Sequence, residues 1–179
     1  MTICIAAICK NGSAVVAASD KMITYSEPPY HQFEHPRSKI YSLKEIYPEI
    51  TAVIMTAGSA LFPTEYINFI KEEVQTLKGS ITIRNIAYAA EKAYRKLREN
   101  VIEGRILSAY GITWDEYMEI VKTGKLTDLY YRVIGQVESF RLELEVLIAG
   151  VDDTGAHIYL VSNPGYASSF DNIGYAAIG

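Results

Sequence analysis

Four residues in the first third of this 179-residue chain carry groups that could do chemistry together: Thr2, Asp20, Lys39 and Gly58. Thr2 directly follows Met1. Removal of the methionine would leave one residue bearing both a hydroxyl nucleophile and a free amine. A hydroxyl attacks a carbonyl only when something takes its proton. An α-amine, whose ordinary pKa is about 7.7–8.0, can do that near neutral pH. No histidine is then required, which suits a chain whose three histidines fall at loop or strand-edge positions. An ammonium close to the hydroxyl favours its anion, and a carboxylate keeps that ammonium charged. A backbone N–H must also face the developing oxyanion. Lys39, Asp20 and Gly58 are the candidates for these three roles. Each has a plainer reading: Thr2 as a strand residue, Asp20 as a turn acid, Lys39 as a solvated strand-edge lysine, Gly58 as the end of a strand.

The elements that must position these groups follow from periodicity. Residues 2–9 read as a strand, Asn11-Gly12 as a hairpin turn, and residues 14–20 as the returning strand, rich in Val and Ala and expected to be covered on both faces. Residues 25–37, with Pro28, Pro29 and Pro36, read as a loop. His31 and His35 fall in it, and solvated loop residues describe them better than a metal site. Residues 38–43 read as a short strand, and 50–57 as a buried strand ended by Gly58. The period then changes. Apolar residues at 66, 67, 70, 74 and 77 mark a helix closed by Gly79. Ser80 and Thr82 are cap candidates for a longer helix to about 103, with Ile83, Ile86, Ala90, Tyr94, Leu97 and Val101 on one face. Thr113-Trp114-Asp115-Glu116 is a capping box opening a helix that ends near Gly124. A further helix spans roughly 127–141. Two strands joined at Asp152–Gly155, a turn at Asn163-Pro164-Gly165 and one final strand-like stretch complete the chain. Strands, then helices, then strands predict antiparallel sheets covered by helices rather than an alternating βαβ fold. With no repeat or linker, the chain reads as one domain.

Composition narrows the function classes. Hydrophobic residues make up 49% and charged residues 21%, an ordinary globular balance. A net charge of −4 argues against non-specific nucleic-acid binding, and no basic run suggests an anionic membrane as partner. No apolar run approaches the ~18–20 residues a membrane span needs. Cys4 and Cys9, five positions apart in one strand, point to opposite faces and cannot easily pair. Two free thiols fit a reducing cytoplasm.

The motif order T-I-C-I, N-G, A-A-S-D-K-M-I-T, S-K-I, T-A-G-S-A, two helices, L-I-A-G-V-D, G-A-H-I-Y-L-V, P-G and A-I-G resembles the proteasome β-subunit family of N-terminal nucleophile hydrolases. The start is most similar to bacterial proteasome-related proteins beginning Met-Thr-x-Cys. The resemblance covers nearly all of the chain except about 105–135, a helical insert. It implies a four-layer α-β-β-α sandwich and a threonine-type peptidase acting through an acyl-enzyme, without metal or cofactor. It implies Thr2 as nucleophile, its amine as base, Asp20 and Lys39 as the active-site acid and lysine, and Gly58 as the oxyanion donor. Thr24 would pair with an extended peptide. Ile23, Thr56 and Ala60 would line a neutral first specificity pocket preferring apolar side chains. Peptide or unfolded protein would be the substrate, with assembly into a homo-oligomeric ring or open ring and an ATPase as a further partner. Trp114, Tyr110, Tyr117, Tyr130 and Tyr131 in the insert read as packing or subunit contacts. Two other readings follow from the same resemblance: a ring subunit that does no chemistry, and an N-terminal-threonine amidase acting on small amides.

Two departures from the family pattern bear on the site. The second strand reaches its acid about two residues late. A two-residue Asn11-Gly12 loop would set Asp20 opposite Ile3, on the wrong face from Thr2. A three-residue loop with a left-handed Gly12 would set it opposite Thr2. The catalytic reading therefore needs the second register, or a bulge. In addition, the family pattern continues after A-I-G with a serine and a further Asp/Ser pair, so the chain reads as lacking that part.

Overall fold

A computed structural model describes residues 3–24, 32–34, 39–44, 48, 50–124 and 127–179; for 22–24 and 32–34 it describes the backbone only. The expected α+β arrangement of antiparallel sheets and helices is observed. A small sheet of order β10-β1-β2 combines β1 (Cys4–Cys9), β2 (Ala14–Ser19) and β10 (Tyr175–Ile178). A two-stranded ribbon pairs β3 (Met22–Thr24) with β4 (Gln32–Glu34). A five-stranded sheet of order β5-β6-β7-β8-β9 runs through β5 (Ile40–Ser42), β6 (Thr51–Gly58), β7 (Leu144–Asp152), β8 (Gly155–Ser162) and β9 (Tyr166–Ser169). All of these neighbours pair antiparallel.

Strand alternation divides the large sheet between two cores. On β6 and β7, Ala52, Ile54, Leu144, Val146 and Ile148 turn toward the helices. Met55, Ala57, Leu147 and Ala149 turn toward the small sheet and meet Cys4, Ala6, Ala176 and Ile178 there. The continuous apolar runs in these two strands are thus explained by a sheet covered on both faces. Among the described residues the small sheet is covered on one face only. Ile3, Ile5, Val16 and Tyr175 are exposed on its other side, which corrects the expectation that residues 14–20 are buried on both faces.

Helix α1 (Pro63–Gln75) and helix α2 (Ile83–Arg105) lie over the large sheet. Pro63 opens α1 at a position where a missing N–H does no harm. Thr82 caps α2, with Asn85 completing the box. The predicted stripe is the buried face: Ile83, Ile86, Ala90, Tyr94 and Leu97 are all fully buried. Burying each of the large members contributes about 1.5–3 kcal/mol. Two tyrosines enter this core with their hydroxyls satisfied. Tyr66 donates to the Ala90 carbonyl at 3.0 Å. Tyr94 donates to the Leu142 and Leu144 carbonyls at 3.2 and 2.9 Å. Burial pushes both phenols up. Helix α3 (Trp114–Thr123), opened by the Thr113–Glu116 capping box and closed by left-handed Gly124, and helix α4 (Asp128–Ser139) form a satellite cluster around Ile102, Leu107, Tyr117, Val133 and Val137. Tyr110 and Trp114 pack against it.

Three local expectations are corrected. Gln32–Glu34 is a strand, not part of a loop; the remainder of 25–37, with His31 and His35, lies outside the described residues. The final strand-like stretch is two strands in two different sheets. A turn held by the Ile173 and Gly174 amides on the Phe170 carbonyl separates them and sends β10 across to β1. The first hairpin is neither of the two loops considered. Its last ladder pair is Cys9↔Ala14, and Lys10, Asn11 and Gly12 all take positive φ between them.

Candidate active site

The site begins with that hairpin. Its ladder pairs Cys4 with Ser19, and the Asp20 amide donates to the Ile3 carbonyl at 3.0 Å. This is the register that sets Asp20 opposite Ile3, not opposite Thr2. The strand ends at Ser19, however, so the pleat does not dictate where the Asp20 side chain goes. Its Oδ1 accepts a hydrogen bond from Lys39 Nζ at 2.7 Å. Asp20 follows the last residue of the small sheet's β2, and Lys39 precedes the first residue of the large sheet's β5. An ion pair between them spans the gap between the sheets, so Asp20 turns inward despite its register. The side chains are 28% and 14% exposed, respectively.

Cys4 marks the same region from β1. It is fully buried, and its Sγ lies 3.7 Å from the Thr56 carbonyl of β6. Burial pushes its thiol up to about 11; the Lys39 ammonium opposes that shift and the Asp20 carboxylate adds to it. Both charges therefore act on a group two positions from Thr2. Residues 1 and 2 themselves lie outside the described residues.

Gly58 ends β6 opposite Leu144. Its φ is +105°, and a Cβ there would stand 2.4 Å from the Glu143 carbonyl oxygen. The neighbouring Ser59 amide donates to that same oxygen at 2.7 Å. Tyr94 holds the adjoining start of β7 from the helix side. Glycine is thus required at 58 by backbone crowding, whatever its N–H does. Thr56 is buried and, by alternation with Ile54, turns toward the helices; Ala60 is exposed in the turn before α1. Ile23 and Thr24 lie on β3, opposite Phe33 and Gln32, with their side chains outside the description.

Sequence reasoning missed two features. In L-E-L-E-V the polar residue falls at every second position, then the strand turns wholly apolar. Glu143 and Glu145 thus share the face of Leu147 and stand exposed at the rim beside Ala57 and Gly58. The second feature lies at the other end of β7. The Thr154 Oγ1 is 2.7 Å from His157 Nε2, and His157 Nδ1 is 2.8 Å from Asp171 Oδ2. Those are the distances of a hydroxyl–imidazole–carboxylate relay. Yet the Thr154 hydroxyl and amide both donate to Asp152 Oδ1, at 2.6 and 2.8 Å. Asp152 Oδ2 in turn accepts the Ile83 amide at the start of α2, and Asp171 Oδ1 accepts the Ile158 amide. Burial raises the Asp152 carboxyl, but the Thr154 hydroxyl and the Ile83 and Thr154 amides outweigh it and leave the group below its ordinary value. The cluster ties a helix start to two turns. A cavity of about 380 Å³ along α1 and α2 is lined by neither Asp20 nor Gly58.

No family model and no curated protein matches the chain. Solved structures do. Over its full length the chain is similar to a Gly-1 mutant of Anbu from Hyphomicrobium sp. strain MC1, with a TM-score of 0.60 and 11% identity. Anbu from Yersinia bercovieri, described as an ancestral beta-subunit, matches 99% of the chain with a TM-score of 0.58 and 12% identity. A second Anbu structure from the Hyphomicrobium strain gives 0.56 and 11%. The chain spans 60% of the length of each. The shared feature is a proteasome-like β-subunit fold, a sandwich of the N-terminal-nucleophile-hydrolase kind. At 11–12% identity the likeness is one of fold alone. The family membership expected from the motif order is therefore corrected: no family model takes the chain in, and the relationship observed is structural.

Proposed function

We propose that this chain hydrolyses peptide bonds with Thr2 as an N-terminal nucleophile, exposed by removal of Met1. One observation carries the reading: the Asp20–Lys39 ion pair at 2.7 Å, bridging the two sheets beside the buried Cys4, two residues from Thr2. In this account the Thr2 amine takes the hydroxyl proton. The Lys39 ammonium lowers the cost of the alkoxide, and Asp20 aims Lys39 through their 2.7 Å contact. The Gly58 N–H receives the oxyanion; the C–N bond then breaks, the Thr2 ammonium gives its proton to the departing amine to leave the acyl-enzyme, and water attacks that ester to release the acid and restore Thr2. Thr24 would pair with the substrate backbone, and Ile23 and Ala60 would border the side-chain pocket; Thr56, turned toward the helices, is withdrawn from it. The proposal places the chain in the cytoplasm as one domain, self-associated in a ring or open ring, acting on peptide or unfolded protein alongside an ATPase.

Thr2→Ala tests it. The variant is expected to lose at least about a thousandfold in kcat/KM on a fluorogenic peptide while keeping the wild-type circular dichroism. Undiminished hydrolysis in Thr2→Ala would remove the nucleophile assignment. Hydrolysis of small amides in preference to peptides would keep Thr2 and change the substrate class.

A further inference from the structure

We infer that Glu145 is a specificity-determining residue of this site, selecting a substrate with a cation close to the scissile carbonyl; this rests on the hydrolase reading above. The ladder places Glu145 directly opposite Ala57, one step from the Gly58↔Leu144 pair. Directly opposite residues on one sheet face hold their Cβ atoms about 4.5–5.5 Å apart. Ala57 is buried in the core between the sheets, and Leu147, two residues beyond Glu145, lies in that same core. Glu145 therefore stands on the inner face of the large sheet, at the rim where that core opens, next to the backbone assigned to the oxyanion.

Its charge has no counterpart among the described residues. Glu145 is exposed and takes part in no ion pair or hydrogen bond among the described residues, and Lys39 is engaged by Asp20. Glu143, two residues earlier on the same face, is also exposed and adds a like charge. A carboxylate at this position opposes negative charge developing at the Gly58 N–H. A lysine or arginine side chain beside the scissile carbonyl would neutralise it and convert the opposition into attraction. A neutral apolar side chain would leave the carboxylate facing the oxyanion. The preference for apolar side chains implied by Ile23, Thr56 and Ala60 is thus replaced by one for cationic residues.

The test compares two fluorescein-labelled hexapeptides that differ only in lysine against norleucine at the residue contributing the scissile carbonyl. Binding to the full chain is read by anisotropy, and cleavage separately by chromatography. The wild type is expected to bind the lysine peptide about tenfold more tightly, and Glu145→Gln to bind the two equally. Glu145→Gln is close in size and sits at an exposed position, so it leaves the fold intact. Equal binding by the wild type, binding of neither peptide, or a lysine preference that survives in Glu145→Gln each overturn the inference. Discrimination in binding without cleavage of either peptide would instead count against the hydrolase reading and leave the role of Glu145 standing.

Discussion

The two ends of β7 use polar residues in opposite ways. At the Asp152 end, both oxygens of Asp152, both oxygens of Asp171 and both ring nitrogens of His157 have partners within 2.6–2.8 Å. At the Leu144 end, a lysine and an aspartate meet across a gap between sheets, a glycine is forced into a left-handed backbone, and two glutamates stand exposed on the rim. The first end has the distances of a Thr–His–Asp relay, and the second has no histidine among the described residues. Distance alone would choose the wrong end. A Thr154 hydroxyl that donates its proton to Asp152 does not donate it to His157, so the imidazole is not placed to act as its base. Fully satisfied networks rigidify a fold. Chemistry needs groups whose remaining partner is the substrate.

The largest expected effect sharpens that contrast. Lys39→Ala should lower kcat/KM for peptide hydrolysis by about a thousandfold, as removal of a charge-stabilising donor does. Its cost in stability should be about 1 kcal/mol or less, since the pair is partly exposed. His157→Asn, assayed beside it, should leave hydrolysis within about twofold. The reverse order of losses would break the comparison and move the active site to the other end. Next in size is Gly58→Ala. The strained φ and the contact with the Glu143 carbonyl should destabilise the protein by about 3 kcal/mol in urea unfolding. Smaller again is Asp152→Asn, which weakens the acceptor of the Ile83 and Thr154 amides and should cost about 1 kcal/mol at pH 7 with no loss of hydrolysis. Its pH dependence has a definite sign. The folded carboxyl lies below its ordinary value of about 3.9, so its contribution is present above that pH and is lost as pH falls through the folded value. Unfolding midpoints of wild type and Asp152→Asn should therefore converge as the pH drops below about 4.

Much of the fold was legible in the sequence because its signals are local. Thr82 and Thr113 cap helices where their boxes place them, and the 3.6-residue stripe from Ile83 to Leu97 is the buried face of α2. The breaks came where long-range pairing decides. Gln32–Glu34 is a strand because β3 offers it a partner, and Phe170–Gly174 turns because β10 pairs with β1 rather than with β8. The hairpin register was arguable from sequence, but the inward turn of Asp20 was not. That turn depends on where Lys39, nineteen residues away, begins a different sheet. The Asp152–Asp171 network was illegible for the same reason, since it joins α2, one hairpin and a turn far apart in the chain. The glutamates of L-E-L-E-V could have been found: a strand that alternates only at its start announces where its covered face opens.

The intact mass of the natively purified protein, with sequencing of its N-terminal peptide, tests the central claim most directly. The account predicts a mass short by one methionine, with Thr2 as the first residue and its amine free. A chain that keeps Met1 would contradict it, because the Thr2 nitrogen would then be an amide, unable to accept the hydroxyl proton.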